Sequence, residues 1–299
     1  MKVLITGASG FVGRPLAENL SKLGFEVLAI SRSIPSNSNM GQINWFQADL
    51  FLKDSYKTKV NQFAPQIVIH LAWQDIPDFS IEKSKLNLDH SLDFIHFISS
   101  LKSCKKILFS GSCLEYDDAK GECIENKIIK GSKNHFILAK NTLRKKAETI
   151  CKNKSISFAW FRIFYVYGPG QRSESLLPSI LNKLKQAILP EITSPFNSND
   201  YIYIDDVVNA FVKATLNDLS SGIFNLGSGF STSVIQVCRY AEKIVLNSSF
   251  LSDELEAKNY HKLSDVNFWA SIINTKKQLE WTPKTSLIDG INKTWMSLN

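Results

Sequence analysis

Three glycines, Gly7, Gly10 and Gly13, stand near the head of the chain between two stretches of different periodicity. Before them, Lys2-Val3-Leu4-Ile5-Thr6 is a short apolar run with β-branched residues and reads as a buried strand. After them, Leu16, Leu20 and Leu23 recur at helical spacing, and Gly24 stops the helix. A strand that runs through a glycine turn into a helix is a phosphate cradle. The first glycine permits the tight turn, the second lets a pyrophosphate approach the backbone, and the third lets the helix pack closely on the strand. The unpaired N–H groups of the helix N-terminus then face the anion. A dinucleotide site is therefore expected on Gly7, Ser9, Gly10, Phe11, Val12 and Gly13.

The type of dinucleotide is read at the end of the second strand, Phe25 to Ile30. An acidic side chain there would hold the ribose 2′-hydroxyl of NAD and repel a phosphate. This chain has Ser31 and Arg32 instead. A hydroxyl accommodates a phosphate and a guanidinium binds it with charge-assisted hydrogen bonds, so NADP(H) is expected over NAD(H). A second reactive position is Ser112, just beyond the apolar strand Lys106 to Ser110, at the edge where a parallel sheet presents its ligands.

Strands and helices alternate around these residues. Further strands are expected at Ile43 to Gln47, Gln66 to His70 and Ile156 to Ile163. Helices are expected at Lys53 to Phe63, Ser80 to Leu101 (Ile81, Leu88, Leu92, Ile95 and Ile98 inward) and Asn134 to Lys152. That alternation implies an α/β fold, a doubly wound parallel sheet covered on both faces. After Gly168-Pro169-Gly170 the pattern changes. Helices are expected at Ser173 to Leu189, at Asp205 to Leu216 with Asp205 as its cap, at Thr232 to Leu246 and at Ile288 to Leu298, with short strands at Asp200 to Ile204 and Phe224 to Leu226. Residues 1–165, with returning segments near 200–226, form the expected dinucleotide domain, and 166–299 form mainly a smaller lobe. A second ligand would sit in the cleft between them.

Composition narrows the classes. The 299 residues carry a net charge of +7, but Lys and Arg are spread without a dense basic run, so nucleic acid is not an expected partner. No run of 18 apolar residues is present, and a strand begins at once, so neither a membrane span nor a signal peptide is expected. Five scattered cysteines without metal spacing fit a reducing cytoplasm and no metal site.

Together these residues resemble the extended short-chain dehydrogenase/reductase family of nucleotide-sugar epimerases, dehydratases and reductases. The resemblance rests on Gly7-Ala8-Ser9-Gly10-Phe11-Val12-Gly13, Asp49-Leu50, His70-Leu71-Ala72, Asn87 and Ser112-Cys113-Leu114-Glu115-Tyr116. It continues through Tyr167-Gly168-Pro169-Gly170, Tyr201 to Val207, Phe224 to Gly229 and Leu279 to Pro283, in the family's order. It implies adenine contacts from Asp49 and Leu50, cofactor contacts from Leu71 and Ala72, and a hydrogen bond from Ser112 to the reacting oxygen. It also implies that Lys140 holds the nicotinamide ribose and lowers the pKa of a tyrosine one helical turn earlier. That position is Phe136, which has the ring and no proton to give. Three explanations stay open: an engineered Tyr-to-Phe change, a natural loss that leaves an NADP-binding sensor, or a replacement donor, His135 or Tyr116.

The resemblance also bears on the reaction. Family dehydratases place an Asp-Glu pair after the catalytic Ser or Thr, and here those positions are Cys113 and Leu114. A 3,5-epimerase needs its cysteine at Leu114, and Cys113 is one residue off. What remains is reduction at C4 of a nucleoside-diphosphate 4-keto-6-deoxyhexose by NADPH, with a 4-epimerase as the alternative. Ser112, Tyr165, Arg172 and Leu177 are the expected substrate contacts, although Tyr165 and Asn199 stand where the family often has Asn and Arg. Arg172, Lys185, His261 and Lys262 are candidate diphosphate partners. The two long helices at Ser80 to Leu101 and Asn134 to Lys152 are expected to pair in a homodimer.

Overall fold

The computed structural model describes residues 1–36, 43–126, 132–217, 221–259 and 264–298. Among them the strands are β1 (Lys2–Thr6), β2 (Glu26–Ser31), β3 (Ile43–Gln47), β4 (Ile67–His70), β5 (Lys106–Ser112), β6 (Gly121–Cys123), β7 (Ser157–Ile163), β8 (Tyr165–Tyr167), β9 (Ser198–Asn199), β10 (Tyr201–Tyr203), β11 (Gly222–Leu226), β12 (Thr232–Ser233) and β13 (Phe268–Ala270). The helices are α1 (Gly13–Lys22), α2 (Lys57–Phe63), α3 (Ile81–Ser100), α4 (His135–Asn153), α5 (Leu176–Lys185), α6 (Ile204–Leu216), α7 (Val234–Leu246), α8 (Phe250–Asn259), α9 (Ile273–Leu279) and α10 (Leu287–Met296).

Seven strands form one parallel sheet in the order β11-β7-β5-β4-β1-β2-β3. The α/β, doubly wound class expected from the sequence is the fold found. Inner strands such as β1 and β4 are apolar without alternation because both faces are covered, whereas the edge strand β3 is only half-buried. Successive side chains of β1 enter opposite layers: Val3 and Ile5 pack with Leu16, Leu20, Val207 and Phe211, whereas Leu4 packs with Val68, Phe94, Ile95 and Leu143. One layer is thus closed by α1 and α6, the other by α3 and α4. The chain leaves β1 toward β2 on one side and reaches β4 on the other, so a crevice opens at the carboxyl end of β1.

Beyond Ile163 the chain leaves the large sheet, and Tyr165–Tyr167 pairs in parallel with β10. Two further ribbons pair β12 with β9 and β13 with β6. β10 is the short strand expected at Asp200 to Ile204, whereas β6, β8, β9, β12 and β13, with α8 and α9, are additions to the elements expected from the sequence.

Several boundaries differ for local reasons. Leu23 is the C-cap of α1 and is exposed, unlike Leu16 and Leu20. Ile81 is likewise exposed, in the first turn of α3, where Ser80 Oγ accepts from Lys83 N–H. The helix expected from residue 53 is a 3-10 turn, Lys53–Ser55, followed by α2. The helix expected over 173–189 is confined to Leu176–Lys185. Asp205 is not a cap: α6 begins from Tyr203 with no side-chain cap, and the neighbouring Asp206 carboxylate accepts from the N–H groups of Lys284 and Thr285. No helix among the described residues is long and apolar enough to cross a membrane, and no group of His, Cys, Asp or Glu among them could hold a metal.

Candidate functional site

The glycine turn is shaped by contacts that exclude side chains. Gly7 has φ +68°, and a Cβ on it would lie 2.9 Å from the Ala72 nitrogen. A Cβ on Gly13 would lie 2.2 Å from the Gly7 carbonyl oxygen, so α1 can start this close only with glycine there. Gly10 N–H donates to the Gly7 carbonyl at 3.0 Å and closes the turn. Phe11 and Val12 follow, half-buried against the core. The turn is one wall of a pocket of about 250 Å³ at the carboxyl ends of β1, β2 and β4. Gly7, Ser9 and Gly10 line it, as do Ser31 and Arg32 from β2 and its exit, and Leu50, Leu71 and Ala72 opposite. A cradle that no Cβ could enter, opening on this pocket beside a helix N-terminus, fits the pyrophosphate of a dinucleotide.

Ser31 and Arg32 divide their work. Ser31 is buried and its hydroxyl donates to the Ser33 carbonyl at 2.7 Å, which shapes the turn. Arg32 is exposed on the rim, where Nη1 donates to Gln74 Oε1 at 3.0 Å. Gln74 Nε2 in turn donates to Asp49 Oδ1 at 3.0 Å. His70, at the end of β4, is buried between Thr6 (2.8 Å) and Ser91 (3.2 Å). Burial, and then the nearby Lys140 charge, hold its pKa down at about 3, so the ring is a neutral pin for the Leu71-Ala72 turn.

Ser112 is the last residue of β5, two residues beyond the expected strand end. Its Oγ accepts from Leu114 N–H at 3.2 Å, which leaves the hydroxyl proton available to a ligand. Its N–H donates at 2.8 Å to Glu115 Oε1. Glu115 is fully buried: Trp160 Nε1 donates to it at 2.9 Å and Arg162 Nε pairs with it at 3.1 Å. Cys113 is buried, and desolvation pushes its thiol pKa well up, so it packs as a small apolar residue.

Phe136 and Lys140 lie on the inner face of α4, whose start is fixed by Asn134 Oδ1 accepting from the N–H groups of Phe136 and Ile137. The Phe136 ring is buried, 5.5 Å from Trp73 and 4.6 Å from Phe79. Lys140 Nζ donates to the Ser110 carbonyl at 3.1 Å and stands 4.0 Å above the Trp73 ring. The two proposed substitutes for a phenol are placed differently. His135 is exposed. Tyr116 is buried, donates to Asn225 Oδ1 at 2.8 Å and lies under the Arg162 guanidinium, and desolvation pushes its pKa up to about 12.

Desolvation lowers the Lys140 pKa to about 8, partly opposed by Glu115. A lysine titrating lower in the folded chain than in the unfolded one costs stability fully below the folded pKa. Between about pH 8 and 10.5 the folded chain has shed its proton and the unfolded chain has not, so stability rises with pH. Lys140→Met is therefore expected to stabilise the chain at pH 7, by up to about 3 kcal/mol before loss of the Ser110 and Trp73 contacts is counted. Urea titrations at pH 7 and 10 check this. A variant less stable than its parent at pH 7 would count against a strained cation.

On the substrate side, Tyr165 is 38% exposed and packs near Tyr201 and Phe268. The Arg172 guanidinium donates to the Ile76 carbonyl, joining the loop after β8 to the loop after β4. Leu177 is packed in the core with Ile180 and Leu181 on the inner face of α5. Asn199 is buried, and Lys185 Nζ stands 5.8 Å from the Trp295 ring. His261 and Lys262 lie outside the described residues. Sequence reasoning did not single out Trp73, Gln74 or Phe79. Their available signal was position, in the loop that leaves the ligand edge of the sheet after β4.

Comparison with known proteins fixes the class. The model of the NAD dependent epimerase/dehydratase family matches residues 3–227, and the chain belongs to that family. It is an enzyme of the extended short-chain dehydrogenase/reductase type, in a family that binds NAD(H) or NADP(H) and modifies nucleotide sugars. It is 28% identical to dTDP-4-dehydro-6-deoxyglucose reductase of Escherichia coli, over 99% of this chain and 97% of that one. It is 23% identical to CDP-abequose synthase of Salmonella muenchen, over 98% and 96%. UDP-glucose 4-epimerase of Thermotoga maritima, solved with UDP-glucose, shares the fold with a TM-score of 0.85, at 21% identity over 100% of this chain and 98% of that chain.

Proposed function

We propose that the chain reduces a nucleoside-diphosphate 4-keto-6-deoxyhexose at C4 with NADPH. One observation carries this reading: the carboxylate nearest Ser112 is Glu115, and it is locked in the core by Ser112 N–H, Trp160 and Arg162. With Cys113 and Leu114 in place of acids, the serine segment offers no side chain for removing a sugar proton. Plain carbonyl reduction needs none. The similarity to a 4-keto-6-deoxyglucose reductase supports the same reading, and the Arg32 cation at the pocket rim supports NADPH. The cofactor, when bound, supplies the hydride. Ser112 donates a hydrogen bond to the sugar oxygen and orients the carbonyl, while the proton that completes the step is the one a phenol at position 136 would give. Lys140, fixed by Ser110 and Trp73, holds the ribose side and places positive charge near the oxygen as negative charge develops there.

A second reading, a nicotinamide-binding protein with little turnover, is favoured by the seat of Phe136. Its ring is enclosed by two aromatic neighbours and offers no proton. Consumption of NADPH with 4-keto-6-deoxy sugar nucleotides, followed by absorbance, separates the two.

The proposed assembly is a homodimer through α3 and α4, which pack against one another and carry the exposed Ile81 and Leu138. Light scattering at micromolar protein is expected to give twice 33.7 kDa. A monomer alone would count against the pairing.

A further inference from the structure

We infer that Gln74 is a positioning residue for cofactor choice: its side-chain amide joins Arg32 to Asp49 across the rim of the pocket and presents the guanidinium to a ribose 2′-phosphate. The inference rests on the reading of the pocket as a dinucleotide site. Gln74 Oε1 accepts from Arg32 Nη1 at 3.0 Å while Nε2 donates to Asp49 Oδ1 at 3.0 Å. Only a side chain that both donates and accepts can make this chain of bonds; a carboxylate would meet Asp49 with like charge, and an ammonium would meet Arg32 with like charge. The backbone beneath is clamped. Gln74 N–H donates to Asn87 Oδ1 at 2.7 Å, and its carbonyl accepts from Asn87 Nδ2 at 3.2 Å. Asn87 is itself buried and donates to the Lys83 carbonyl.

At the other two ends the geometry is also set. The Arg32 carbonyl accepts from Gln47 Nε2 at 3.0 Å. Asp49 Oδ1 accepts from Phe51 N–H at 2.9 Å as well as from Gln74, leaving Oδ2 to accept from a ligand amine. One of the five guanidinium donors is used on Gln74, and four remain for a phosphate. An exposed arginine otherwise samples many rotamers, and fixing it beforehand removes part of the ordering cost of binding. Only a cofactor with a 2′-phosphate gains from that. Gln74 should therefore act on NADP and leave NAD nearly untouched.

The test is calorimetric titration of the full chain with NADP⁺ and NAD⁺, with adenosine 2′,5′-bisphosphate and 5′-AMP as probes lacking the nicotinamide. Gln74→Leu keeps the backbone clamp and removes both amide bonds. It is expected to weaken NADP⁺ and the bisphosphate roughly 5- to 10-fold and to change NAD⁺ and AMP less than about twofold. Gln74→Glu, which neutralises the arginine, should weaken NADP⁺ further. Arg32→Ala should weaken NADP⁺ selectively, and adding Gln74→Leu to it should change little, because the two act as one unit. If Arg32→Ala shifts the NADP⁺/NAD⁺ ratio and Gln74→Leu does not, or if the two effects add, the inference is overturned while the cofactor reading stands. If Arg32→Ala leaves the ratio unchanged, the NADP reading fails and the inference with it.

Discussion

Phe136→Tyr is expected to raise the rate of NADPH-dependent sugar-nucleotide reduction by about 10² to 10⁴, the usual worth of a positioned general acid. That is roughly 3 to 5.5 kcal/mol of barrier. The substitution adds one oxygen to a ring already held by Trp73 and Phe79 and one turn from Lys140 on the same face of α4. The lysine is ready to act on a phenol: it is buried, charged below about pH 8 and fixed by the Ser110 carbonyl. A phenolate beside an ammonium is stabilised, so the new tyrosine should titrate below its ordinary range and exchange its proton near neutral pH. Cofactor affinity should change little, because the cradle and Lys140 are untouched. A gain of at least about tenfold supports a reductase dormant at one atom. A Phe136→Tyr protein that binds NADPH and is inert on every 4-keto-6-deoxy sugar nucleotide offered favours the binding-protein reading. A parent chain that is already fast assigns the proton elsewhere. Tyr116, with its hydroxyl committed to Asn225, is then the weaker of the two alternatives, and His135→Ala is the next variant.

The parts of this protein that repeat a local rule were readable from the sequence. The cradle was legible because strand, glycine turn and helix adjoin within the first 22 residues, and each glycine answers a local steric demand. The large sheet was legible because buried parallel strands are apolar throughout. Periodicity misled where it was carried to a helix end: Ile81 continues the inward pattern but falls in the first turn of α3 and is exposed. Asp205 has the right type for a cap, but its neighbour Asp206 is the one engaged, with residues 284 and 285 brought in by tertiary folding. Strands such as β9 and β13 are too short to show any period. The Arg32–Gln74–Asp49 chain joins residues 25 and 42 positions apart, a juxtaposition visible only after the sheet is assembled. The same holds for Glu115, which read as one member of a serine segment and is the centre of a buried ionic network.

Arg162→Met is expected to be the most destabilising of these changes, at about 3–5 kcal/mol. Arg162 and Glu115 are 1% and 0% exposed and pair at 3.1 Å. Arg162 Nη1 also donates to the Glu125 carbonyl at 3.1 Å, and the guanidinium lies 4.4 Å above the Tyr116 ring. Methionine fills much of the volume, so the loss is chiefly electrostatic: a carboxylate stays buried with its counter-charge gone. Adding Glu115→Gln removes the uncompensated charge and should recover most of the loss, since a buried pair replaced at both ends often costs little. Glu115 Oε1 accepts from both the Ser112 N–H at 2.8 Å and Trp160 Nε1 at 2.9 Å, so a glutamine with its oxygen in that place keeps both bonds, and activity is expected to recover with stability. Urea unfolding of both variants and the parent at pH 4.5 and 7.5 measures the effect. An Arg162→Met chain within about 1 kcal/mol of its parent at both pH values would show that the pair contributes no more than a surface salt bridge.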